Sequence, residues 1–137
     1  MAQVRNIVMT TECTAGERRV SGDLRALHRL LTILLDNALQ FTPAEGTIKI
    51  RTARSNGSVS LSVHNTGQGI RSEDLPHIFE RFYRGDPART RQNGAGLGLA
   101  IARSIAQAHG THIEVENQPG QGATFTVNLP HSTEPRA

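Results

Sequence analysis

Two stretches of alternating apolar and polar residues, joined by a short turn, constrain the fold of this chain more than any other feature. One stretch contains Ile48 and Ile50, and the second covers residues 59–64. Each places an apolar side chain at every other position, which is the period of a strand with one buried face. The link over residues 55–58, Ser-Asn-Gly-Ser, favours a hairpin because Asn and Gly tolerate a positive φ. The two strands are therefore predicted to pair antiparallel.

Helical periodicity predicts three helices around these strands. The first covers about residues 24–42, with Asp23 as its N-cap and Pro43 just beyond its end. The second is predicted over about residues 72–79 and the third over about residues 97–109. Helices on one face of a mixed, mostly antiparallel sheet make a two-layer α/β sandwich, which is an α+β fold.

Three further strands complete the predicted sheet. One is expected over residues 4–9, and two more over about residues 113–115 and 125–129. The length of 137 residues fits one domain. We therefore expect one domain over residues 1–130 and a flexible tail over residues 131–137, which has no apolar pattern.

Composition excludes several classes of protein. The net charge is only +3, and the 14 arginines and one lysine form no dense run, which favours a mixed solvated surface over a nucleic-acid interface. The lone cysteine, Cys13, excludes a disulfide framework and zinc sites built from several thiolates. No apolar run reaches 18 residues, so a soluble domain is expected, although it could be part of a longer membrane protein.

Glycine is concentrated between positions 67 and 98, where six of the 13 glycines lie. Gly94, Gly96 and Gly98 precede the third predicted helix, where glycines let backbone N–H groups approach an anion. No strand directly precedes them, as a dinucleotide-binding fingerprint requires, and the chain has no Walker A loop. Taken alone, the cluster is compatible with phosphate binding or with a flexible surface loop.

Two carboxamides occupy positions where the apolar pattern calls for a buried side chain. Asn37 continues the helical line of Leu30 and Ile33, and Asn65 continues the strand series that ends at Val63. Burial of such a group without a partner costs about 1–3 kcal/mol. Each amide could cap nearby backbone, but two of them beside glycine-rich loops favour a shared ligand pocket.

The chain resembles the sensor histidine kinases of the GHKL ATPase superfamily in five short motifs. These follow one another in the family's order over nearly the whole chain, and the F box distinguishes the kinases from gyrase and MutL. They are an N box over residues 37–43 (NALQFTP), a G1 box over 65–70 (NTGQGI), an F box over 79–84 (FERFYR), a G2 box over 94–101 (GAGLGLAI) and a last glycine box over 120–125 (GQGATF).

The resemblance implies a Bergerat-type site for ATP and Mg²⁺ under a mobile lid over about residues 84–96. Asn37 would coordinate Mg²⁺ through its carbonyl oxygen, which is a hard donor suited to that ion. Asn65 would contact the adenine edge, and Arg84 would reach the γ-phosphate. The other nucleotide-binding residues that the resemblance implies are Gln40, Phe41, Gly67, Gly69, Ile70, Arg89, Arg91, Gly94, Gly96, Leu97, Gly98, Leu99 and Thr124.

Three positions depart from the family pattern. Asn65 stands where the family usually has Asp, which removes charge assistance and predicts weaker ATP binding with weaker exclusion of GTP. Ile33 stands in place of a second Asn, and Gln40 in place of a Lys. Arg89 and Arg91 of the lid could supply the missing charge.

The resemblance therefore implies the catalytic domain of a bacterial two-component sensor kinase, an ATP-dependent protein-histidine kinase without a general base of its own. The chain lacks the phosphoacceptor motif, so the histidine is expected on a separate helical dimerisation domain, with a response regulator downstream. No nucleic-acid partner is expected. The domain would be cytoplasmic, and only missing parts of an inner-membrane sensor would reach the membrane. A nucleotide-binding regulatory module, an anti-sigma-factor serine kinase and a basic nucleic-acid binder remain as alternatives, the last two disfavoured.

Overall fold

A computed structural model describes residues 6–13, 22–55, 57–81 and 97–130 of the chain. Within these ranges the chain forms five strands, two α-helices and one 3₁₀ helix. They are β1 Val8–Cys13, α1 Leu24–Phe41, β2 Thr47–Ser55, β3 Ser58–Asn65, a 3₁₀ helix Leu75–His77, α2 Gly98–Ala108, β4 Ile113–Gln118 and β5 Gly122–Pro130.

The five strands form one sheet in the order β1-β2-β3-β5-β4. β1 runs parallel to β2, and the other neighbours are antiparallel. The hairpin of β2 and β3 closes with Ser55 opposite Ser58, at the turn that the sequence predicted. Gly57 lies in that turn with a φ of 80°, a conformation that glycine adopts without strain. The mixed, mostly antiparallel sheet confirms the predicted fold class.

Both α-helices lie on one face of the sheet and bury small or branched apolar side chains there. α1 packs against α2 and β3. The fully or nearly fully buried residues of this layer are Leu30, Leu34 and Ala38 of α1, Ala100, Ala102 and Ala106 of α2, and Ile48, Val63, Phe125 and Val127 of the sheet. Burial of each large side chain among them contributes about 1.5–3 kcal/mol.

Helix α1 begins and ends where local chemistry predicts. The carboxylate of Asp23 accepts a hydrogen bond from the backbone N–H of Ala26 at 3.1 Å and so caps the first turn. At the other end, Thr42 is extended, with φ −88° and ψ 124°, as the residue before Pro43 must be. Neither α1 nor any other helix in the described ranges is both long enough and apolar enough to cross a membrane.

The helix predicted over residues 72–79 is only the three-residue 3₁₀ helix Leu75–His77. Pro76 lacks an N–H group, and Arg71 donates to both carboxylate oxygens of the nearly buried Asp74, at 2.7 and 3.2 Å. This local pairing holds the segment as a turn. Phe79 then packs edge-to-face on Phe125, with ring centroids 6.4 Å apart.

Strand β1 lies later in the chain than the sequence predicted. It runs over Val8–Cys13 rather than residues 4–9, because its register opposite β2 starts with Val8 beside Thr47. Ile7 precedes the strand and packs against the core. Residues 1–5 are outside the described part of the chain.

Candidate functional site

The carboxyl end of β3 carries a buried carboxamide. Asn65 is the last residue of the strand and is 5% exposed. Its Nδ2 donates a hydrogen bond to the carbonyl of Thr66 at 3.1 Å. In the described part of the chain its Oδ1 has no recorded partner, and no unpaired side-chain polar atom there is fully buried. The oxygen of Asn65 therefore retains an accessible acceptor side.

Gly67 brings the loop after β3 against the end of α1. Its φ of 146° is in the region that favours glycine. A Cβ at this position would lie 3.0 Å from the carbonyl oxygen of Phe41 and 3.8 Å from Nδ2 of Asn65. Because no side chain intervenes, the loop places the Asn65 amide close to the last turn of α1.

The β4–β5 turn holds the other side of the same loop. A Cβ on Gly69, whose φ is 82°, would lie 2.6 Å from Oδ1 of Asn117. The N–H of Gly120 donates to the carbonyl of Gln68 at 3.0 Å. Gly122 packs directly on the backbone of Asn65, with φ 129°. The loop over residues 66–70 is thus fixed between α1 and the β4–β5 turn.

Asn37 lies on α1 one helical turn before Phe41 and one turn after Ile33. Residues four apart share a face of a helix, so these three side chains follow one line. Ile33 faces the start of α2, since a Cβ on Gly98 would lie 3.5 Å from its Cγ2. Asn37 is half-buried and makes no recorded side-chain hydrogen bond within the described ranges. Among the described residues its carboxamide is therefore unpaired, and it lies on the face of α1 that Ile33 turns toward the start of α2.

No side chain of the described residues caps the N-terminus of α2. Leu97 occupies the N-cap position without a side-chain cap hydrogen bond, and Gly98 is exposed. The first N–H groups of a helix have no partner inside it and carry the positive end of its dipole. Leu99, by contrast, packs against the core and anchors this first turn.

The oxygen of Asn37 is the type of ligand that Mg²⁺ accepts in proteins. Among the described residues no three His, Cys, Asp or Glu side chains converge as a metal cluster. Mg²⁺ commonly keeps several waters and binds through one or two protein oxygens together with substrate phosphates. The residues around Asn37 therefore fit a magnesium ion that arrives with a phosphate ligand, and they do not form a cage of their own.

Thr124 is not brought to this site. His64 Nδ1 and Thr124 Oγ1 are 2.7 Å apart, and the two residues are opposite each other in the sheet. Asn65 is paired instead with Ala123, which is 4% exposed. Successive strand residues point to opposite faces, so Thr124 lies on the face away from the helices and away from Asn65.

Of the other residues expected from the sequence, Gln40 and Phe41 are partly buried in the last turn of α1. Ile70 packs against the core at the end of the loop after β3. The remaining expected contacts lie outside the described residues, as do the whole of the expected lid over residues 84–96 and the tail over residues 131–137. These contacts are Arg84, Arg89, Arg91, Gly94 and Gly96.

Asn117 is a residue of this site that the sequence did not single out. Its carboxamide makes two hydrogen bonds with the backbone of Ile70, each 2.7 Å long. The apolar pattern could have indicated Asn117, because this residue continues the inward-facing series of Ile113 and Val115 along β4. Asn65 continues the inward-facing series of β3 in the same way. Its partner, Ile70, could not be predicted from the sequence, because it lies 47 residues away along the chain.

Comparison with protein families gives a match over most of the chain. The family model described as histidine kinase-, DNA gyrase B-, and HSP90-like ATPase matches residues 22–133. The sensor histidine kinase YkoH of Bacillus subtilis is 47% identical over 111 residues, which are 80% of this chain and 24% of YkoH. The sensor-like histidine kinase SenX3 of Mycobacterium tuberculosis is 42% identical over 113 residues, 82% of this chain and 28% of SenX3. The chain thus spans about a quarter of the length of these relatives.

Solved structures of histidine kinases also resemble this chain. The catalytic domain of the histidine kinase ThkA, in a nucleotide-free form, superposes with a TM-score of 0.79 at 32% identity, over 91% of this chain and 79% of that domain. Full-length ShkA in complex with AMPPNP gives a TM-score of 0.81 at 29% identity, over 94% of this chain and 26% of ShkA.

Proposed function

Because the chain belongs to the histidine kinase-, DNA gyrase B- and HSP90-like ATPase family, we propose that it is the ATP-binding catalytic domain of a two-component sensor histidine kinase. The observation that carries this proposal is the pair of carboxamides beside the last turns of α1. Asn65 presents an acceptor at the end of β3, and Asn37 presents a free amide one turn before the contact of α1 with Gly67. ATP and Mg²⁺ would bind between them.

The purine would bind at the Asn65 end. The Oδ1 atom of Asn65 can accept a hydrogen bond from the exocyclic amine of adenine, and Gly67 and Gly69 leave the loop backbone bare beside it. Since Nδ2 already donates to the carbonyl of Thr66, the oxygen is the atom left for the base. This orientation favours adenine over guanine, whose O6 would face another acceptor. It argues against the weaker exclusion of GTP that the sequence suggested.

The triphosphate would extend from Asn65 toward Asn37 and the start of α2. Asn37 would hold Mg²⁺ through its carbonyl oxygen, and the bound ion would neutralise charge on the phosphate oxygens. The open N–H groups at Leu97–Leu99 would donate to phosphate oxygens. Arg84, Arg89 and Arg91 stay predictions as further phosphate contacts. The open helix end supports this direction of binding because the positive end of its dipole favours an anion.

Transfer of the γ-phosphate would need positioning and charge neutralisation more than a catalytic base. We therefore assign no general base to this chain. The acceptor would be a histidine on a separate helical dimerisation domain of the same kinase, and a response regulator would receive the phosphate next. Cytoplasmic placement, beside an inner-membrane sensor, follows from the same proposal.

Phosphoryl transfer in trans tests the proposal. The chain is mixed with Mg²⁺, γ-labelled ATP and the helical dimerisation domain of the same kinase. The expected product is an acid-labile, base-stable phosphohistidine on that domain. Absence of any nucleotide binding would refute the site itself, and label on a serine of a partner would point to an anti-sigma-factor kinase.

A regulatory module that binds nucleotide without transfer is the second candidate. Ile33 favours it, because its aliphatic side chain packs beside Gly98 where the family usually places a second carboxamide. The same assay separates the two candidates. ATP binding without labelled histidine, with the dimerisation domain shown to accept phosphate from another kinase domain, would support the regulatory module.

A further inference from the structure

The carboxamide of Asn117, near the end of β4, makes two hydrogen bonds with the backbone of a single residue, Ile70. The N–H of Ile70 donates to Oδ1 of Asn117, and Nδ2 of Asn117 donates to the carbonyl of Ile70, both at 2.7 Å. Two such bonds between one pair of residues reproduce the pattern of a hydrogen-bonded antiparallel pair. The side chain of Asn117 therefore attaches the loop after β3 to the sheet, a loop that belongs to no strand in the described part of the chain.

This attachment acts on the segment beside Asn65. Gly69 lies so close to Asn117 that a Cβ there would be 2.6 Å from its Oδ1. Ile70 is packed against the core, so the loop is held on its apolar side as well. The bonds are partly buried, where loss of one partner leaves the other polar group unsatisfied. The position of residues 67–69 relative to Asn65 thus depends on the carboxamide of Asn117.

We propose that Asn117 is a positioning residue for the purine end of the nucleotide site, a role that rests on the function proposed above. It holds the backbone of Gly69 and Ile70 at the distance from Asn65 that admits a flat base. It touches neither the base nor the phosphates. Its effect is therefore on affinity for every adenine nucleotide and not on the transfer of the γ-phosphate.

Only a carboxamide of this length can make both bonds. An Asp at position 117 keeps an acceptor for the N–H of Ile70 but places a carboxylate oxygen against the carbonyl of Ile70. Alanine removes both bonds. A Gln would extend one methylene further into the space beside Gly69, where Oδ1 already leaves no room for a Cβ. Asn117→Ala therefore removes both bonds, whereas Asn117→Asp keeps one bond and turns the other into a repulsive contact.

The test compares the full chain with Asn117→Ala, Asn117→Asp and the control Gln118→Ala, which removes an exposed carboxamide next in sequence. Calorimetric titration gives the Kd for ATP and for ADP, and amide hydrogen exchange reports the N–H of Ile70. Asn117→Ala is expected to weaken ATP and ADP by the same factor, about tenfold, and to speed exchange at Ile70. Transfer at saturating ATP stays at the wild-type rate, and Gln118→Ala changes none of these.

Three results would overturn the positioning role of Asn117. If Asn117→Ala and Asn117→Asp speed exchange at Ile70 but bind ATP as tightly as the wild type, the attachment is real and the positioning role is refuted. If ATP is weakened but ADP is not, the effect lies at the γ-phosphate and the proposal is overturned. If the wild-type chain binds no nucleotide, the proposed function itself fails, and the inference fails with it. Should Asn117→Ala not fold, Asn117→Asp, which keeps one bond, is the deciding variant.

Discussion

Gly122 packs directly against the backbone carbonyl of Asn65, and a Cβ on residue 122 would overlap that oxygen. The φ of Gly122 is 129°, which a residue with a side chain rarely adopts. The next residue, Ala123, is paired with Asn65 in the sheet. The start of β5 therefore determines where the end of β3, and with it the Asn65 amide, is placed.

Replacement of Gly122 by Ala is expected to destabilise the fold strongly. The added methyl group must displace the backbone at Asn65, and the alanine must adopt a strained φ. Together these two effects cost about 3 kcal/mol. Gly120→Ala is the matched control, because its φ is 80° but a Cβ there meets nothing within 4 Å. It is expected to cost only about 1–2 kcal/mol from the backbone. Denaturant unfolding measures both, and equal losses would contradict the contact.

Asn37→Ala is expected to remove the dependence of ATP binding on Mg²⁺. The wild-type chain should lose affinity when the metal is chelated, whereas the variant should bind ATP weakly with or without the metal. Asn128→Ala is the control, since Asn128 is another partly buried carboxamide on β5, in register with Ser60. Titration with ATP in the presence of Mg²⁺ and of a chelator checks this. An Asn37→Ala variant that keeps the full metal dependence would refute the assignment.

Asn65→Ala is expected to remove the discrimination between ATP and GTP. In the proposed site the Asn65 oxygen would accept a hydrogen bond from the amine of adenine, so its loss should weaken ATP binding by about tenfold and GTP binding much less. His64→Ala serves as the control, because His64 is adjacent in sequence but hydrogen-bonds Thr124 on the other face of the sheet. Competition binding with both nucleotides gives the ratio. Parallel losses of ATP and GTP affinity would show that Asn65 does not contact the base.

His109→Ala is expected to loosen the contact between the two helices. The ring accepts from the backbone N–H of Asp23 through Nε2 at 3.0 Å, and Nδ1 donates to the carbonyl of Ile105 at 2.8 Å. Loss of both bonds should cost about 1–2 kcal/mol of unfolding free energy. His112→Ala should change stability by less than about 0.5 kcal/mol, because its contact with Glu114 is an exposed pair. If thermal unfolding shows a larger loss of stability for His112→Ala than for His109→Ala, His109 does not stabilise the contact between the helices.

Local signals in the sequence account for the parts of the fold that were predicted correctly. Asp23, Pro43 and the apolar line of α1 fix that helix by short-range chemistry, and the turn at Gly57 fixes the hairpin. The helix predicted over residues 72–79 was wrong because Pro76 and the bonds of Arg71 to Asp74 favour a turn.

The site was predicted less completely because its contacts are long-range. Asn37 and Asn65 were predicted from their places in the apolar pattern, which needs only the sequence. Thr124 was expected at the site, but the register between β3 and β5, which the sequence does not reveal, places Ala123 opposite Asn65. Asn117 could be recognised as an inward-facing amide, yet its bond to Ile70 spans 47 residues.

The sharpest test of the proposed nucleotide site is a crystal structure of the chain with Mn²⁺ and a non-hydrolysable ATP analogue, because the anomalous signal of Mn²⁺ locates the metal independently of the nucleotide. We expect Mn²⁺ at about 2.1 Å from Oδ1 of Asn37 and the adenine amine at about 3 Å from Oδ1 of Asn65. An adenine bound away from the loop over residues 66–70, or a metal without contact to Asn37, would contradict it.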